Sequence, residues 1–298
     1  MNHADSAAPC LDSHVVDIGF VQLSWVQVAV LGIVQGITEL LPISSTAHLR
    51  VLPGLLGWPD PGSAFSAAMQ LASFAAVVAY FRKDIAQLAS AGLRAAAKGD
   101  YRTHDCRVLL GILLGTIPFV VAGAALRPIL NGCHSPLRGL LVIGFASIGM
   151  SLLLALSERL ARHSRGFGTI TLRDGIIVGL AQAFALIPGV SRSGATLTAA
   201  LFCGMERETA ARYSFLLGLP AITLAGIYEL LVLVKAGLAA PGWITLLIGL
   251  VCASVTAFIA IYGLLHYLER RSTWVFVWYR LIFGLAIVLG VAAGYLHN

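Results

Sequence analysis

An acid, several hydroxyl groups and an imidazole lie within 14 residues of one another near the start of the sequence. Gln35 and Glu39 are four residues apart, which places both side chains on one face of a helix. The segment that follows contributes Pro42, Ser44, Ser45, Thr46 and His48. These residue types could supply a general base, a nucleophile and an oxygen ligand for a hard cation.

A second cluster has the composition of an anion-binding site. It places one cation, Arg192, among small and hydroxyl residues, namely Gly189, Ser191, Ser193, Gly194 and Thr196. We expect a new helix from Ala195 onward, and a helix N-terminus with Ser, Thr and Gly donors binds anions. A planar guanidinium beside it is suited to phosphate in particular.

Each of these residues also has a purely structural interpretation. Glu39 could pair with Arg192 only to specify packing, residues 44–46 could be helix N-caps, and His48 could be a core histidine with satisfied hydrogen bonds. These interpretations do not explain why the polar groups are concentrated in two related places. Arg280 also lies in apolar sequence, but without a polar cluster around it, so we expect it to have a structural partner.

The composition indicates that lipid surrounds the protein that carries these clusters. Of the 298 residues, 58% are hydrophobic and 11% are charged, and the mean hydropathy is +0.86. A soluble domain carries roughly 25% charged residues, so this chain could not cover a water-facing surface and is not a cytosolic enzyme. The net charge of +6 comes from basic residues between apolar spans, so we expect no nucleic-acid partner. We predict an all-α polytopic membrane protein.

Six apolar segments are long enough to cross a membrane as single helices. They are residues 64–81, 108–126, 139–156, 211–234, 243–268 and 274–296. Two further apolar regions, 21–56 and 172–204, contain proline and Ser-rich sequence near their middle, which predicts two broken, re-entrant helix pairs. Broken backbone at membrane depth must be buried in protein or line a wet cavity, so both clusters lie where a site is expected.

The distribution of basic residues predicts the orientation. Fourteen of the 20 lie in the connections at residues 82–107, 159–173, 207–212 and 270–271, whereas three lie in the alternate connections. By the positive-inside rule the first set is cytoplasmic, which places both termini in the periplasm. Residues 1–20 lack the basic start of a signal peptide and are expected to be an uncleaved, flexible tail.

An internal repeat relates the two broken regions. Gln35 and Ser44 recur as Gln182 and Ser191, with the same offset of 147 residues. The span at residues 64–81 ends on the cytoplasmic side, which carries the basic residues, whereas its counterpart at residues 211–234 ends on the opposite side. We therefore predict one integral membrane domain over residues 1–298, with a first half at 21–156 and an inverted second half at 172–296.

Residues 34–48 and 188–196 resemble the two signature motifs of the bacterial undecaprenyl-diphosphate phosphatases, the bacitracin-resistance proteins. The spacing of the spans agrees with that family over essentially the whole chain. The resemblance implies hydrolysis of undecaprenyl diphosphate to the monophosphate carrier of peptidoglycan synthesis, in the inner membrane, with a divalent cation, either Mg²⁺ or Ca²⁺. It also implies inverted repeats with re-entrant helix pairs.

The motifs assign a role to each candidate residue. The expected catalytic residues are Glu39, Ser45, His48 and Arg192, and Glu39 is also the expected metal ligand. The expected substrate-binding residues are Gln35, Ser44, Thr46, Ser191, Ser193, Gly194 and Thr196. Many family members have glutamate at the position of Gln35, so a mechanism that needs two carboxylates there is in question.

Two mechanisms are compatible with these residues. Ser45, deprotonated by His48, could attack phosphorus and form a phosphoenzyme, or His48 or Glu39 could activate a metal-bound water. We favour the serine.

Other functions and partners also fit the sequence. A transporter of polyprenyl phosphate could use the same anion site, and a phosphatase could act on shorter lipid diphosphates. The partners expected are a polyprenyl diphosphate and membrane lipids, with a second copy of the chain as a candidate in a homodimer.

Overall fold

A computed structural model describes residues 18–130, 137, 139–235 and 237–296, and the regular structure within these ranges is helical. The helices are α1 (Trp25–Leu40), α2 (Ser45–Leu56), α3 (Ser63–Ala68), α4 (Gln70–Tyr80), α5 (Arg82–Lys98), α6 (His104–Leu130), α7 (Leu140–Leu160), α8 (Leu172–Ala183), α9 (Arg192–Phe202), α10 (Arg207–Lys235), α11 (Ala240–Arg270) and α12 (Trp274–Ala292). Short 3₁₀ turns cover Gly19–Gln22, Phe167–Thr169 and Phe184–Leu186. The described ranges contain no β-strand.

The fold confirms a polytopic all-α membrane protein. Within the described ranges, five helices are long and apolar enough to cross a membrane, namely α6, α7, α10, α11 and α12. The predicted span 64–81 corresponds to α3 and α4, after which the chain turns by 81° into α5. This bent pair makes a sixth span if it is counted as one.

The predicted tail is too long at its C-terminal end. Residues 1–17 lie outside the described residues, but Phe20 is fully buried and its ring lies 5.6 Å from that of Phe65. Its backbone N–H also donates to the carbonyl of Pro61. Residues from Gly19 onward therefore belong to the packed domain. Burial of the Phe20 ring stabilises this position, whereas a flexible tail would leave the ring exposed.

Both predicted breaks are present, and they share an unusual backbone. The first separates α1 from α2 around Pro42, and the second separates α8 from α9. Ser44 and Ser191, each just before the second helix of its pair, have φ of 73° and 69°. Positive φ is uncommon in residues other than glycine, and it persists where surrounding contacts hold it. The repeat thus extends to the strained residue.

Counterpart helices of the two halves run antiparallel. On α4 and α10, Leu71 packs against Gly226 whereas Phe81, just past the end of α4, packs against Phe215. Residue numbers that rise on one helix and fall on the other mean opposite directions. This is the relation that an inverted repeat predicts.

The last helix of each half shows the same relation. The hydroxyl of Ser147 on α7 donates to the carbonyl of Arg280 on α12, and the hydroxyl of Ser151 donates to that of Val277. These two helices are therefore also antiparallel counterparts.

Glycine lets each re-entrant helix lie directly on a spanning helix of the other half. A Cβ atom on Gly36 of α1 would lie 2.1 Å from the hydroxyl oxygen of Thr256 on α11. A Cβ atom on Gly179 of α8 would lie 2.2 Å from the Cα of Gly115 on α6. Close backbone approach through small residues is a common way to pack helices in lipid. The exchange of partners between the halves holds both broken helices in place.

Ion pairs join the connections that were predicted to share one membrane face. Nη2 of Arg212 lies 2.5 Å from Oδ1 of Asp84, and Nη2 of Arg207 lies 2.5 Å from Oε1 of Glu158. The Glu158 carboxylate also accepts a hydrogen bond from the hydroxyl of Thr273 at the start of α12. The start of α5, the end of α7 and the starts of α10 and α12 therefore meet at one end of the bundle, as the basic residues indicate.

The close contact of α8 with α6 predicts a stability difference between two glycine variants. Gly179→Ala should lower the free energy of unfolding by about 2 kcal/mol because the added methyl group meets backbone. Gly149→Ala, on α7, is the control because its Cβ would meet nothing within 4 Å. Unfolding by sodium dodecyl sulfate titration in mixed micelles measures both. Equal stabilities of the two variants would contradict this packing.

Candidate active site

A cavity of about 190 Å³ lies beside the first break. Polar residues dominate its lining, and they are Gln35, Glu39, Ser45, Thr46, Arg50, Asp60, Ser66 and Gln70. Pro188 reaches it from the second break, and Ile143 reaches it from α7. The two halves therefore contribute to one cavity, as a site between inverted repeats requires.

Glu39 is the centre of the hydrogen bonding at this cavity. Its Oε1 accepts from Nη2 of Arg192 at 2.9 Å. Its Oε2 accepts from Nε2 of Gln35 at 3.0 Å and from the hydroxyl of Ser45. The side chains of Glu39 and Arg192 are only 10% and 14% exposed, so the pair satisfies two charges that would be costly alone.

The second break also holds the backbone of the first. The hydroxyl of Ser193 lies 3.2 Å from the carbonyl oxygen of Glu39 and 2.9 Å from that of Leu41, and it donates to them. Arg192 donates in addition to the carbonyl of Gly218 on α10, at 3.2 Å. The guanidinium is thus fixed from two sides, because Nη2 donates to the Glu39 carboxylate and Nη1 donates to the Gly218 carbonyl.

The helix that follows the second break begins earlier than the sequence predicted. α9 begins at Arg192 and not at Ala195, because the Ser191 hydroxyl accepts the N–H of Gly194 at 3.1 Å and caps the helix. Ser193 therefore lies inside the helix, as Thr196 was already expected to.

Their hydroxyls serve packing instead of facing the cavity. Thr196 is fully buried, and its hydroxyl bonds to the carbonyl of Arg192 at 2.8 Å and to the hydroxyl of Ser214. Ser193 is buried and bonds to the first break. Gly194 is buried as well, with its N–H used by the cap. Arg192 and Ser191 are left as the polar groups of this break that are not fully buried.

His48 is not paired with Ser45. Its Nδ1 lies 2.7 Å from the carbonyl oxygen of Ser44, and its Nε2 lies 2.6 Å from the hydroxyl of Tyr279. The imidazole also stacks on Phe283 with a centroid distance of 4.5 Å. The ring turns back to the carbonyl at the start of its own helix, and Ser45 bonds to Glu39 instead.

Arg280 has a structural role, as expected, but its partners could not be predicted from the sequence. It is 1% exposed, and its Nη1 donates to the carbonyl of Pro42 at 2.9 Å. Its Nη2 donates to the carbonyls of Gly189 and Val190, at 2.8 and 3.0 Å. One buried guanidinium thus binds both breaks. Its presence in an apolar span was the available signal, but its partners are backbone atoms and carry no sequence signature.

Three further polar residues that line the cavity were not identified as site residues from the sequence. They are Asp60, Ser66 and Gln70. Arg50 forms an ion pair with Asp60 in which both side chains are about half exposed, at 51% and 50%. This pair leaves the aqueous edge of the cavity close to neutral.

The oxygen atoms at the cavity fit a hard cation that takes most of its ligands from substrate. The described residues contain no group of three or more His, Cys, Asp or Glu that could hold a metal ion. However, Gln35 is 1% exposed and its Oε1 has no hydrogen-bond partner among the described residues. This oxygen and the Glu39 carboxylate could bind Mg²⁺ or Ca²⁺ together with phosphate oxygens.

Comparison with known proteins agrees with the motifs. The family model described as bacitracin resistance protein BacA matches residues 28–286. A protein named undecaprenyl-diphosphatase 2, from Mesorhizobium japonicum, is 57% identical over 88% of this chain and 99% of its own length. Proteins named undecaprenyl-diphosphatase from Trichormus variabilis and Trichodesmium erythraeum are 52% and 46% identical, over 94% and 97% of this chain and 88% and 92% of their own lengths.

The contacts of Arg280 predict a large effect on stability. Arg280→Met leaves three buried carbonyls without their donor, and we expect a loss of at least about 3 kcal/mol, since each costs about 1–3 kcal/mol. Arg280→Lys, which keeps a donor, should lose less. Denaturant titration of the purified protein measures both, with Arg270→Met at the exposed end of α11 as the control. An Arg280→Met variant as stable as the control would refute the role in binding the breaks.

Proposed function

The chain belongs to the family of the bacitracin resistance protein BacA, and on that premise we propose that it hydrolyses undecaprenyl diphosphate to undecaprenyl phosphate and inorganic phosphate. The observation that carries the proposal is the joining of Glu39, Ser45 and Arg192 from two broken helices. A carboxylate, a hydroxyl and a fixed guanidinium can serve as base, nucleophile and charge-stabilising group in phosphoryl transfer. The product is a lipid carrier for peptidoglycan synthesis, and its recycling confers bacitracin resistance.

The contact of Ser45 with Glu39 supports serine as the nucleophile. Glu39 Oε2 accepts the proton as Ser45 Oγ attacks the terminal phosphorus. A bond forms between Oγ and phosphorus, the bridging phosphorus–oxygen bond breaks, and undecaprenyl phosphate leaves with the electron pair. The proton on Glu39 passes to the departing undecaprenyl phosphate. Water then attacks the phosphoserine and gives a proton to Glu39, the bond between phosphorus and Oγ breaks, and Glu39 returns this proton to Oγ, which restores Ser45 and releases inorganic phosphate. The base proposed for this step is Glu39 and not His48, because both ring nitrogens of His48 bond to other groups.

The second break supplies the positive charge for this step. Arg192 already donates to Glu39, and its side chain is 14% exposed, so part of the fork can turn to phosphate oxygens. Ser191 adds a hydroxyl at the N-terminus of α9. Stabilising charge that develops on the transferred phosphoryl group is the largest contribution that such groups make.

We also propose a divalent cation, Mg²⁺ or Ca²⁺, held by Glu39 and by Oε1 of Gln35. Bound there, the cation neutralises charge on the diphosphate. Gln35 orients the carboxylate through its Nε2, and its Oε1 is the free buried oxygen that supports the assignment. The binding roles of Ser44 and Thr46 stay predictions, as do those of Ser193, Gly194 and Thr196.

The location and orientation follow from the family and from the charges. We propose the bacterial inner membrane, with both termini in the periplasm, because 14 of the 20 basic residues lie in the connections of the opposite face. The first residues and the last two lie outside the described ranges, and the homodimer stays a prediction.

The serine mechanism predicts a covalent intermediate. Acid quenching during turnover of substrate labelled in its terminal phosphate should trap phosphoserine at Ser45, and Ser45→Ala should lower kcat by at least ~10². Ser90→Ala is the control, since that hydroxyl on α5 bonds to the carbonyl of Gln87. A Ser45→Ala variant that retains kcat within about tenfold would favour activated water instead. A protein that only transports the lipid would release no phosphate.

The metal proposal predicts a gain from a second carboxylate. Gln35→Glu should lower the Mg²⁺ concentration at half-maximal activity by about tenfold or more, because a charged oxygen replaces an amide oxygen. It should also enlarge the rise in melting temperature that Mg²⁺ produces without substrate. Gln70→Glu at the mouth of the same cavity is the comparison. Unchanged Mg²⁺ dependence in Gln35→Glu, in both measurements, would argue against a cation at this position.

A further inference from the structure

The position of His48 suggests a role other than proton transfer. We propose that His48 and Tyr279 are positioning residues, which fix the carbonyl of Ser44 so that Ser45 faces Glu39. The proposal rests on the proposed function. It differs from general-base catalysis by His48, because the imidazole acts here only through the backbone next to the nucleophile.

The two hydrogen bonds of the ring leave no nitrogen for Ser45. A carbonyl oxygen can only accept, so Nδ1 of His48 carries the hydrogen that is donated to Ser44. In the neutral ring Nε2 is then an acceptor, and it accepts the hydroxyl hydrogen of Tyr279 at 2.6 Å. Both partners fix one tautomer and one ring orientation, which stacking on Phe283 supports.

Comparison of the two breaks shows why Ser44 needs this support. At the second break, Ser191 holds its own strained conformation: its hydroxyl caps the N–H of Gly194, and its carbonyl accepts the N–H of Ala195 at 2.9 Å. At the first break, the side chain of Ser44 makes no capping hydrogen bond. Its carbonyl accepts the N–H of His48 in a long and therefore weak hydrogen bond of 3.4 Å.

The histidine ring supplies the missing bond. Offset by 147 residues, the counterpart of His48 is Ala195, which has no side chain that could reach the carbonyl. The 2.7 Å bond from Nδ1 is therefore the strong interaction at the Ser44 carbonyl. A residue with φ of 73° keeps that conformation only while such contacts hold it.

α12 anchors the arrangement from outside the break. Tyr279 precedes Arg280, which is buried and donates to the carbonyl of Pro42, two residues before Ser44. Adjacent residues of one helix thus control two carbonyls of the break, one directly and one through His48. A displacement of the nucleophile by about 1 Å can cost about 10² in rate, so this control bears on kcat.

Replacement of His48 by alanine and by glutamine separates positioning from base catalysis. A glutamine amide can donate to the Ser44 carbonyl and accept from Tyr279, but it cannot take up a proton near neutral pH. We expect His48→Ala to lower kcat by ~10², and His48→Gln to recover at least about tenfold of this loss. The acid limb of the pH profile of kcat should be the same in His48→Gln and the unmodified protein. A glutamine variant as slow as the alanine variant, or one that loses the acid limb, would overturn the proposal.

Tyr279→Phe tests the second residue with the stacking preserved. It should lower kcat by about threefold or more with KM unchanged, and it should have no further effect in the His48→Ala background, since both act through one bond. Tyr262→Phe is the matched control, because that tyrosine stacks on His266 on α11. Activity of Tyr279→Phe equal to the control would overturn the role of the hydroxyl. Failure of the proposed function would be distinguishable, because the unmodified protein itself would then release no phosphate. The variant comparisons test only the positioning roles of His48 and Tyr279.

Discussion

The ion pair between Glu39 and Arg192 joins the two halves of the protein at the depth of their broken helices. Neither charge could be placed there alone, because a bare carboxylate or guanidinium in this environment is strongly disfavoured. Removal of one partner of a buried pair typically costs about 3–5 kcal/mol. Each half therefore depends on the other for the charge that balances its own. The same contact places the proposed base, Glu39, next to the proposed phosphate-binding group of Arg192.

The breaks impose a second constraint, which concerns the backbone. A helix that stops inside the membrane leaves carbonyls that lipid cannot satisfy. Arg280 binds carbonyls of both breaks, the Ser193 hydroxyl binds those of Glu39 and Leu41, and His48 binds that of Ser44. Several polar residues that look catalytic in the sequence thus hold the backbone. The Ser45 hydroxyl bonds to a side chain instead, and the Arg192 side chain is 14% exposed, so these are the groups that we propose contact the substrate.

Much of this arrangement could be predicted from the sequence, since it depends on composition and periodicity. The low charge, the breaks around Pro42 and before Arg192, and the inverted repeat each leave a pattern along the chain. The partners of His48 and Arg280 leave none. His48 bonds to a backbone carbonyl one turn away and to the distant hydroxyl of Tyr279, and Arg280 bonds to carbonyls in distant segments. The start of α9 was predicted three residues late, since the Ser191 cap makes residues 192–194, which were expected to precede the helix, part of it.

The most direct test of the central claim is a double-mutant cycle on Glu39→Gln and Arg192→Gln, measured as kcat/KM for phosphate release from undecaprenyl diphosphate. If the two residues form one unit across the repeat, each single variant should lose at least ~10², and the double variant should be no slower than the slower single variant. Independent residues would instead give losses that multiply to ~10⁴ or more. That multiplicative result would contradict an active site built on the contact between the two broken helices.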